Sequence, residues 1–187
     1  MLSDEKMAEA EVSVRLALYL IRQRLVTADV AVAIDGAQVQ TSGAVHFAMA
    51  AFLQASGCSA LGAHAWQGHH VVTDGDYRIR IHSSSGSGDV VAPLITGEVL
   101  RVESKKGPLK RSKSSAEYPL MREAIGQLMT VDQAAANDLL AIAVPHSAKF
   151  AELAERWRDA PLIRRLGLQL LTVHRDGDVS GLVLAAA

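Results

Sequence analysis

The sequence predicts an α/β fold in which a mixed central sheet is flanked by helices. Three observations indicate this fold: an amphipathic helix near the N-terminus, two apolar segments joined by a tight turn, and a helix–strand–helix–strand order towards the C-terminus. Such an order is typical of layered α/β domains. The chain has 187 residues, of which 49% are hydrophobic and 21% charged, as in an ordinary globular domain. We therefore expect one domain over residues 1–187.

Residues 1–82 are expected to supply the first helix, several strands and an inserted helix. Val14, Leu18 and Ile21 recur at helical spacing, and Asp35-Gly36 is a dipeptide typical of hairpin turns. The predicted elements are a helix over 4–25, a hairpin over 29–40, a second helix from Ser42 or Gly43 to Gly57, and strands over 60–66 and 77–82.

Residues 83–187 are expected to begin with a Gly/Ser loop and a hairpin, and to continue as alternating helices and strands. Residues 139–144 are continuously apolar, which is typical of a buried strand, and Ser147 can cap the helix after it. The predicted elements are a hairpin over 89–105, a helix from Ser114 or Ser115 to about Thr130, a strand over 139–144, a helix after Ser147, a short helix over 161–167, and a last hairpin over 168–184 around Asp176-Gly177.

The hairpin after the Gly/Ser loop carries the clearest chemical signal. Asp89 begins its first apolar segment, Glu103 and Lys105 end the second, and Thr96-Gly97 supplies the turn. A hairpin centred near that turn places Asp89 opposite Glu103, and side-chain alternation puts Glu103 and Lys105 on one face. Two carboxylates so close repel each other unless a cation lies between them. A divalent metal ion with Lys105 beside it is the usual arrangement.

A basic segment follows this hairpin directly. Between residues 105 and 113 there are five basic residues and no acidic one, although the net charge of the whole chain is only −1. Charge runs are commonly solvated loops, but this one leaves the strand that carries Glu103, where a phosphate backbone would lie. We therefore predict phosphate contacts for this segment. The candidate residues are Lys106, Lys110, Arg111 and Lys113.

The acidic hairpin and the helix after it resemble the PD-(D/E)xK nuclease superfamily, which has the restriction-endonuclease-like fold. The residues that carry the resemblance are Asp89, Glu103-Ser104-Lys105, and the helix over 120–128 that contains Gln127. The later strand–helix–strand order is also similar, so the resemblance covers most of residues 89–180. Gly88 stands where a proline often precedes the aspartate of the family, and Val131 where some exonuclease branches carry a tyrosine.

The resemblance implies a magnesium site in which manganese could replace the magnesium. Asp89, Glu103 and the backbone carbonyl of Ser104 would hold the ion. Lys105 would position or deprotonate the attacking water and stabilise the charge that develops at phosphorus. Elementary chemistry agrees, because magnesium prefers hard oxygen ligands and keeps waters that can attack a phosphodiester.

Two helical residues complete the implied site. Gln127 would orient the attacking water or a phosphate oxygen. A glutamate of the first helix often joins the site of the family, and Glu11 is our candidate for it, with Glu9 left open because it lies close by. Each residue also has a purely structural interpretation: a solvated helix glutamate, or a hydrogen-bonding glutamine on a helix surface.

The predicted function is metal-dependent hydrolysis of DNA, with RNA left open as an alternative substrate. A noncatalytic nucleic-acid-binding or assembly module with the same fold is the alternative, and it would bind through the basic segment without cleavage. In a third interpretation Asp89 caps a strand and Glu103 and Lys105 form an exposed cross-strand pair. A homodimer would allow a domain of this size to cut both strands.

Composition also bounds the location of the protein. Cys58 is the single cysteine, so an intrachain disulfide is excluded and a reducing compartment is favoured. The most apolar helical segment, over 12–21, is interrupted by Arg15 and is too short to span a membrane. We therefore expect a cytoplasmic protein without membrane association.

Overall fold

The computed structural model describes residues 4–64, 66–110 and 116–184. The helices are α1 (Glu9–Arg22), α2 (Gly36–Val39), α3 (Met49–Ala55), α4 (Glu117–Leu128), α5 (Ala148–Arg158) and α6 (Pro161–Leu166). The strands are β1 (Lys6–Met7), β2 (Val30–Ala33), β3 (Gln40–Thr41), β4 (Ala44–Val45), β5 (Cys58–Ala60), β6 (Gly68–Val72), β7 (Arg78–His82), β8 (Val90–Pro93), β9 (Val99–Ser104), β10 (Gly107–Pro108), β11 (Leu139–Pro145), β12 (Gln169–Val173) and β13 (Val179–Ser180).

A nine-stranded mixed sheet forms the centre of the fold, in the order β13-β12-β11-β9-β8-β2-β7-β6-β5. Strands β9, β11 and β12 run parallel, so their carboxyl ends meet along one side of the sheet. Strand β8 is antiparallel to both of its neighbours, β9 and β2. The predicted mixed α/β class is confirmed.

Helices cover both faces of this sheet, and the alternation of β11 shows how. Ala141 and Ala143 pack in the hydrophobic cluster that includes α1, whereas Ile142 and Val144 pack in the cluster built with α4 and α5. A strand buried on both faces is expected to be continuously apolar, as residues 139–144 are. None of the helices in the described ranges combines the length and the apolar character of a membrane span.

Two turn signals in the first half of the chain were interpreted wrongly. Asp35-Gly36 does not turn a hairpin, because the Asp35 carboxylate accepts a hydrogen bond from Ala37 N (2.9 Å) and caps α2 instead. The second helix begins at Met49 rather than at Ser42 or Gly43. Ser42 and Gly43 instead have positive φ (48° and 86°) and form the turn of the small β3–β4 hairpin.

The strand predicted over 60–66 is also misplaced. Strand β5 ends at Ala60, and Gly68, which was expected to join two strands, instead begins β6, which pairs with β5. The later helices, the buried strand and the last hairpin are confirmed, with β12 pairing antiparallel to β13. The helix-start residues Ser114 and Ser115 lie outside the described residues.

Gly107 allows the chain that leaves β9 to pass closely over α5. An alanine Cβ at this position would lie 2.6 Å from Phe150 Cε2, and the Phe150 side chain is fully buried. We expect Gly107→Ala to lower the free energy of unfolding by about 1–3 kcal/mol, because the core has to shift to admit the methyl group.

The matched control is Gly126→Ala on the exposed face of α4, where a Cβ would meet no atom within 4 Å. It should raise the free energy of unfolding by about 0.5–1 kcal/mol, because alanine is the better helix former. Urea denaturation of both variants measures these effects. A Gly107→Ala protein as stable as the wild type would contradict the close packing described here.

Candidate carboxylate–lysine site

Strands β8 and β9 pair in the register that the sequence predicts. Val90 lies opposite Val102 and Pro93 opposite Val99, with Gly97 at positive φ (91°) in the turn. Asp89, just before β8, and Glu103, in β9, come next in this register, and their carboxyl groups lie close enough to interact directly. The expected convergence of two carboxyl groups is therefore present.

Backbone hydrogen bonds fix Asp89 between its two neighbouring strands. Its N–H donates to Val102 O (2.8 Å) and its carbonyl accepts from Ala33 N (2.8 Å). Its carboxylate accepts from the backbone N–H of Ser104 at 2.8 Å. Gly88 before it has φ = 96°, a conformation closed to proline, whose ring holds φ near −65°. A proline therefore could not take the place of Gly88 in this backbone.

Glu103 and Lys105 point to the face of the sheet that α4 covers. Leu100 and Val102 pack in the cluster with α1, so alternation along β9 directs Glu103 and Lys105 to the opposite face. The same-face prediction for this pair holds.

Two helices hold the ammonium group of Lys105. Its Nζ lies 3.6 Å from Glu9 Oε2, in the first turn of α1, and 3.6 Å from Glu123 Oε1 on α4. Lys105 is only 6% exposed, so its charge is directed into the cluster rather than into solvent. Gln38 Nε2 donates to Glu9 Oε1 (2.9 Å) and orients that carboxylate.

Glu9 lies in this cluster, and the structure does not bring Glu11 to it. The Glu11 carboxylate is buried and pairs with Arg15 Nε (2.9 Å) and Arg175 Nε (3.2 Å). Residues two apart on a helix point to nearly opposite sides, so only one of the two glutamates can face the sheet end that carries Lys105. The i,i+4 spacing of Glu11 and Arg15 was the sequence signal that Glu11 is paired elsewhere.

A cavity of about 300 Å³ opens beside the carboxyl pair. Gln127 lines it, as predicted from the helix that follows the hairpin. The other lining residues are Glu9, Ala33, Ser85, Gly86, Gly88, Asp89, Glu103, Lys105, Thr130 and Val131.

The Gly/Ser loop forms one wall of this cavity and is tied down on both sides. Gly86 O accepts from Asp132 N (3.1 Å), just after α4, and Ser87 O accepts from Arg101 Nη1 (3.2 Å). Arg101 is itself held by a salt bridge to the buried Asp138. The wall is therefore anchored to elements that the sequence places far from the loop.

The electrostatics of the carboxyl pair favour a bound proton. The pKa of Glu103 is raised to about 7, mainly by burial and then by the nearby Asp89, while Lys105 opposes the rise. Burial also raises the pKa of Asp89 to about 6, against the lowering effect of the Ser104 N–H bond and Lys105. Close carboxyl groups cannot both ionise easily, so they share a proton until a cation compensates them.

The donor atoms around the pair fit a hard cation. Lys105 N donates to Ala143 O (2.9 Å) on the neighbouring parallel strand β11. Successive residues of a strand direct their backbone groups to alternate neighbours, so the backbone of Ser104 faces β8 instead. The Ser104 N–H donates to Asp89 on that side, and regular strand geometry directs the Ser104 carbonyl the same way. Two carboxylates and this carbonyl are oxygen donors of the kind that magnesium prefers.

Side chains alone do not complete a metal site. Among the described residues, no group of three or more His, Cys, Asp or Glu side chains could hold a metal ion. Magnesium commonly uses one or two carboxylates and takes its remaining ligands from water and substrate phosphate. The set of Asp89, Glu103 and the Ser104 carbonyl matches that pattern.

The basic segment begins at the rim of the cluster. Lys106 is exposed, and its backbone N–H donates to Glu9 Oε2 (3.4 Å). Lys110 is also exposed. Arg111 and Lys113, predicted with them to contact phosphate, lie outside the described residues.

Comparisons of the chain with protein-family models, with curated proteins and with solved structures give no match. The fold and the cluster by themselves define a mixed α/β protein whose sheet carries two carboxyl groups and a lysine where its parallel strands end.

The raised pKa of Glu103 predicts how the stability of the protein depends on pH. Its pKa is above the ordinary value in the folded state, so this group favours folding at low pH and the benefit is lost as the pH rises to about 7. Relative to wild type, Glu103→Gln should therefore gain about 1–2 kcal/mol of unfolding free energy between about pH 5 and pH 8.

Urea denaturation at both pH values measures this difference. The control is Glu155→Gln, which removes an exposed carboxylate from α5 and should show no such gain. Equal pH dependence in the two variants would contradict a buried, proton-sharing Glu103.

Proposed function

We propose that this protein is a metal-dependent nuclease that hydrolyses phosphodiester bonds of DNA. The observation that carries the proposal is the pairing of Asp89 with Glu103 beside a buried Lys105. Regular strand geometry directs the Ser104 carbonyl to the side where the Ser104 N–H bonds Asp89. The order of strands β8, β9 and β11 with helix α4 supports, as part of this proposal, a fold of the restriction-endonuclease type.

Asp89, Glu103 and the Ser104 carbonyl would hold a magnesium or manganese ion. When bound, such an ion makes a coordinated water more acidic and neutralises charge on the phosphate. The carboxyl pair must lose its shared proton to ligate a cation. It can do so near neutral pH, because the pKa values of Asp89 and Glu103 are raised only to about 6 and about 7.

Lys105 acts on the reacting phosphate as a positioned cation. Glu9 and Glu123 hold its ammonium group from two sides, so the charge is already in place before substrate binds. An ammonium fixed in a partly water-excluded cavity stabilises developing negative charge more effectively than a mobile one. Gln127 lines the same cavity and can donate a hydrogen bond to a phosphate oxygen or accept one from the attacking water.

The proposal extends to the surroundings of the site. Lys106 and Lys110 would contact phosphates that flank the scissile bond. A homodimer would present two such sites to a duplex. The free, buried Cys58 is compatible with a reducing, cytoplasmic environment.

Cleavage assays on supercoiled plasmid, linear duplex, single-stranded and four-way-junction DNA test this function. We expect cutting with Mg²⁺ or Mn²⁺ and none in EDTA. Glu103→Gln and Lys105→Met should each lower the rate by about 10²–10⁴, because each removes a charge that stabilises the transition state. The control is Lys149→Met on α5, whose ammonium bonds Glu152 (2.7 Å) and does not line the cavity.

Metal-independent cutting, or cutting by the Glu103 and Lys105 variants at the wild-type rate, would overturn the proposal. Folded protein that binds DNA without cutting it would favour the noncatalytic binding module instead.

The shared proton also predicts the pH dependence of metal binding. Protons compete with the ion for Asp89 and Glu103, so Mg²⁺ affinity should rise as the pH increases through the window from about 6 to about 7. Isothermal titration calorimetry across this window measures the effect and should show proton release on binding. In Glu103→Gln the pH dependence should be much weaker. Affinity that is constant across the window would contradict ligation by this pair.

A further inference from the structure

The cavity beside Asp89 is one end of a longer groove. Glu9 and Lys105 line both this cavity and a second one next to it, which has a volume of about 720 Å³. His46, Phe47 and Lys106 in turn line both the second cavity and a third one of about 750 Å³. The three cavities therefore follow one another along the surface, starting at the carboxyl pair.

The far end of this groove is apolar, and we name it the apolar pocket. It is bounded by α3 and by the residues just before this helix. Those residues are His46, Phe47, Ala48, Ala51, Phe52 and Ala55, and three charged residues, Lys6, Glu11 and Lys106, line the same cavity. The two phenylalanine rings pack together with their centroids 5.2 Å apart, and the three alanines are exposed. Small side chains leave room here for a flat apolar group.

Charges of both signs lie between the carboxyl pair and the apolar pocket. Lys105 is at the first junction of the groove, where Glu9 and Glu123 hold its ammonium group, and the exposed Lys106 is at the second. His46 lines the second junction too, with its imidazole exposed. A phosphate-sized anion beside the exposed Lys106 and His46, with a flat apolar group beyond them, is the chemistry of a nucleotide.

We propose that the groove holds an unpaired stretch of DNA next to the scissile phosphate, with one nucleobase in the apolar pocket. This inference rests on the proposed nuclease function and names its substrate class. A base in the pocket cannot be paired within a duplex, so strand ends, gaps or single strands bind in preference to continuous duplex. An apolar segment of a partner protein would need the pocket but not the lysines. If it were the occupant, the pocket variant described below would leave DNA binding unchanged.

The test compares two variants of neighbouring exposed alanines on α3. Ala51 lines the apolar pocket and Ala50 does not. Ala51→Glu and Ala50→Glu add the same charge and side-chain volume one residue apart, so only their position relative to the pocket differs. Both positions are exposed, and thermal unfolding verifies that each variant is folded.

Binding is measured by fluorescence anisotropy in EDTA, where turnover is absent, with a labelled single-stranded oligodeoxynucleotide and a blunt duplex as probes. We expect wild type to bind the single strand about tenfold more tightly than the duplex. Ala51→Glu should lose about tenfold in single-strand affinity, while Ala50→Glu should stay within about twofold of wild type. A 2-aminopurine placed along the strand should change fluorescence at one position, and Ala51→Glu should abolish that change.

The outcomes separate this inference from the function on which it rests. Equal affinity for single strand and duplex, or equal effects of the two glutamates, would overturn the assignment of the pocket to a nucleobase. The cleavage result with Glu103 and Lys105 variants would then still stand by itself. No affinity for either probe, together with no cleavage of any DNA, would overturn both.

Discussion

The pairing of β8 with β9 is the constraint on which the rest of the site depends. Because Val90 lies opposite Val102, Asp89 just before β8 and Glu103 near the end of β9 reach the same point. A slip of one residue would send Glu103 to the other face and bury it against α1. Leu100 and Val102 oppose such a slip, since both pack in the core beneath α1. The hydrophobic core therefore determines the geometry of the charged site.

Placing two carboxyl groups together in a half-buried cavity is unfavourable, and the structure compensates for it in three ways. The Ser104 N–H donates to one carboxyl group, Lys105 lies beside both, and the groups share a proton. Glu9 and Glu123 in turn form salt bridges with the ammonium group of Lys105. The cluster is left with more carboxylates than cations, which is the electrostatic condition under which a divalent ion binds favourably.

The backbone around Asp89 shows how irregular conformation and chemistry are linked. Gly88 adopts positive φ next to a residue whose N–H and carbonyl bond two different strands. An added Cβ at Gly88 would lie 3.2 Å from Val102 O, so glycine suits both the conformation and the close approach. The loop before it is anchored by Asp132 and Arg101, which belong to other parts of the fold.

The sequence by itself determined the local features of the protein. Side-chain alternation is enough to identify the β8–β9 hairpin and to place Glu103 and Lys105 on one face, because both depend on neighbours along a single strand. The same local rules failed at Asp35-Gly36, where a cap and a turn have the same residue signature.

Only the tertiary structure decided which distant residues meet at the carboxyl pair and Lys105. Glu9 rather than Glu11 faces Lys105, because the rotation of α1 is set by its packing on the sheet, and Glu123 comes from a helix that reaches the same cavity. The groove likewise joins residues of α3 to the carboxyl pair across a long interval of chain. Periodicity within one element carries no information about its orientation to another, and that orientation is fixed by burial of the whole core.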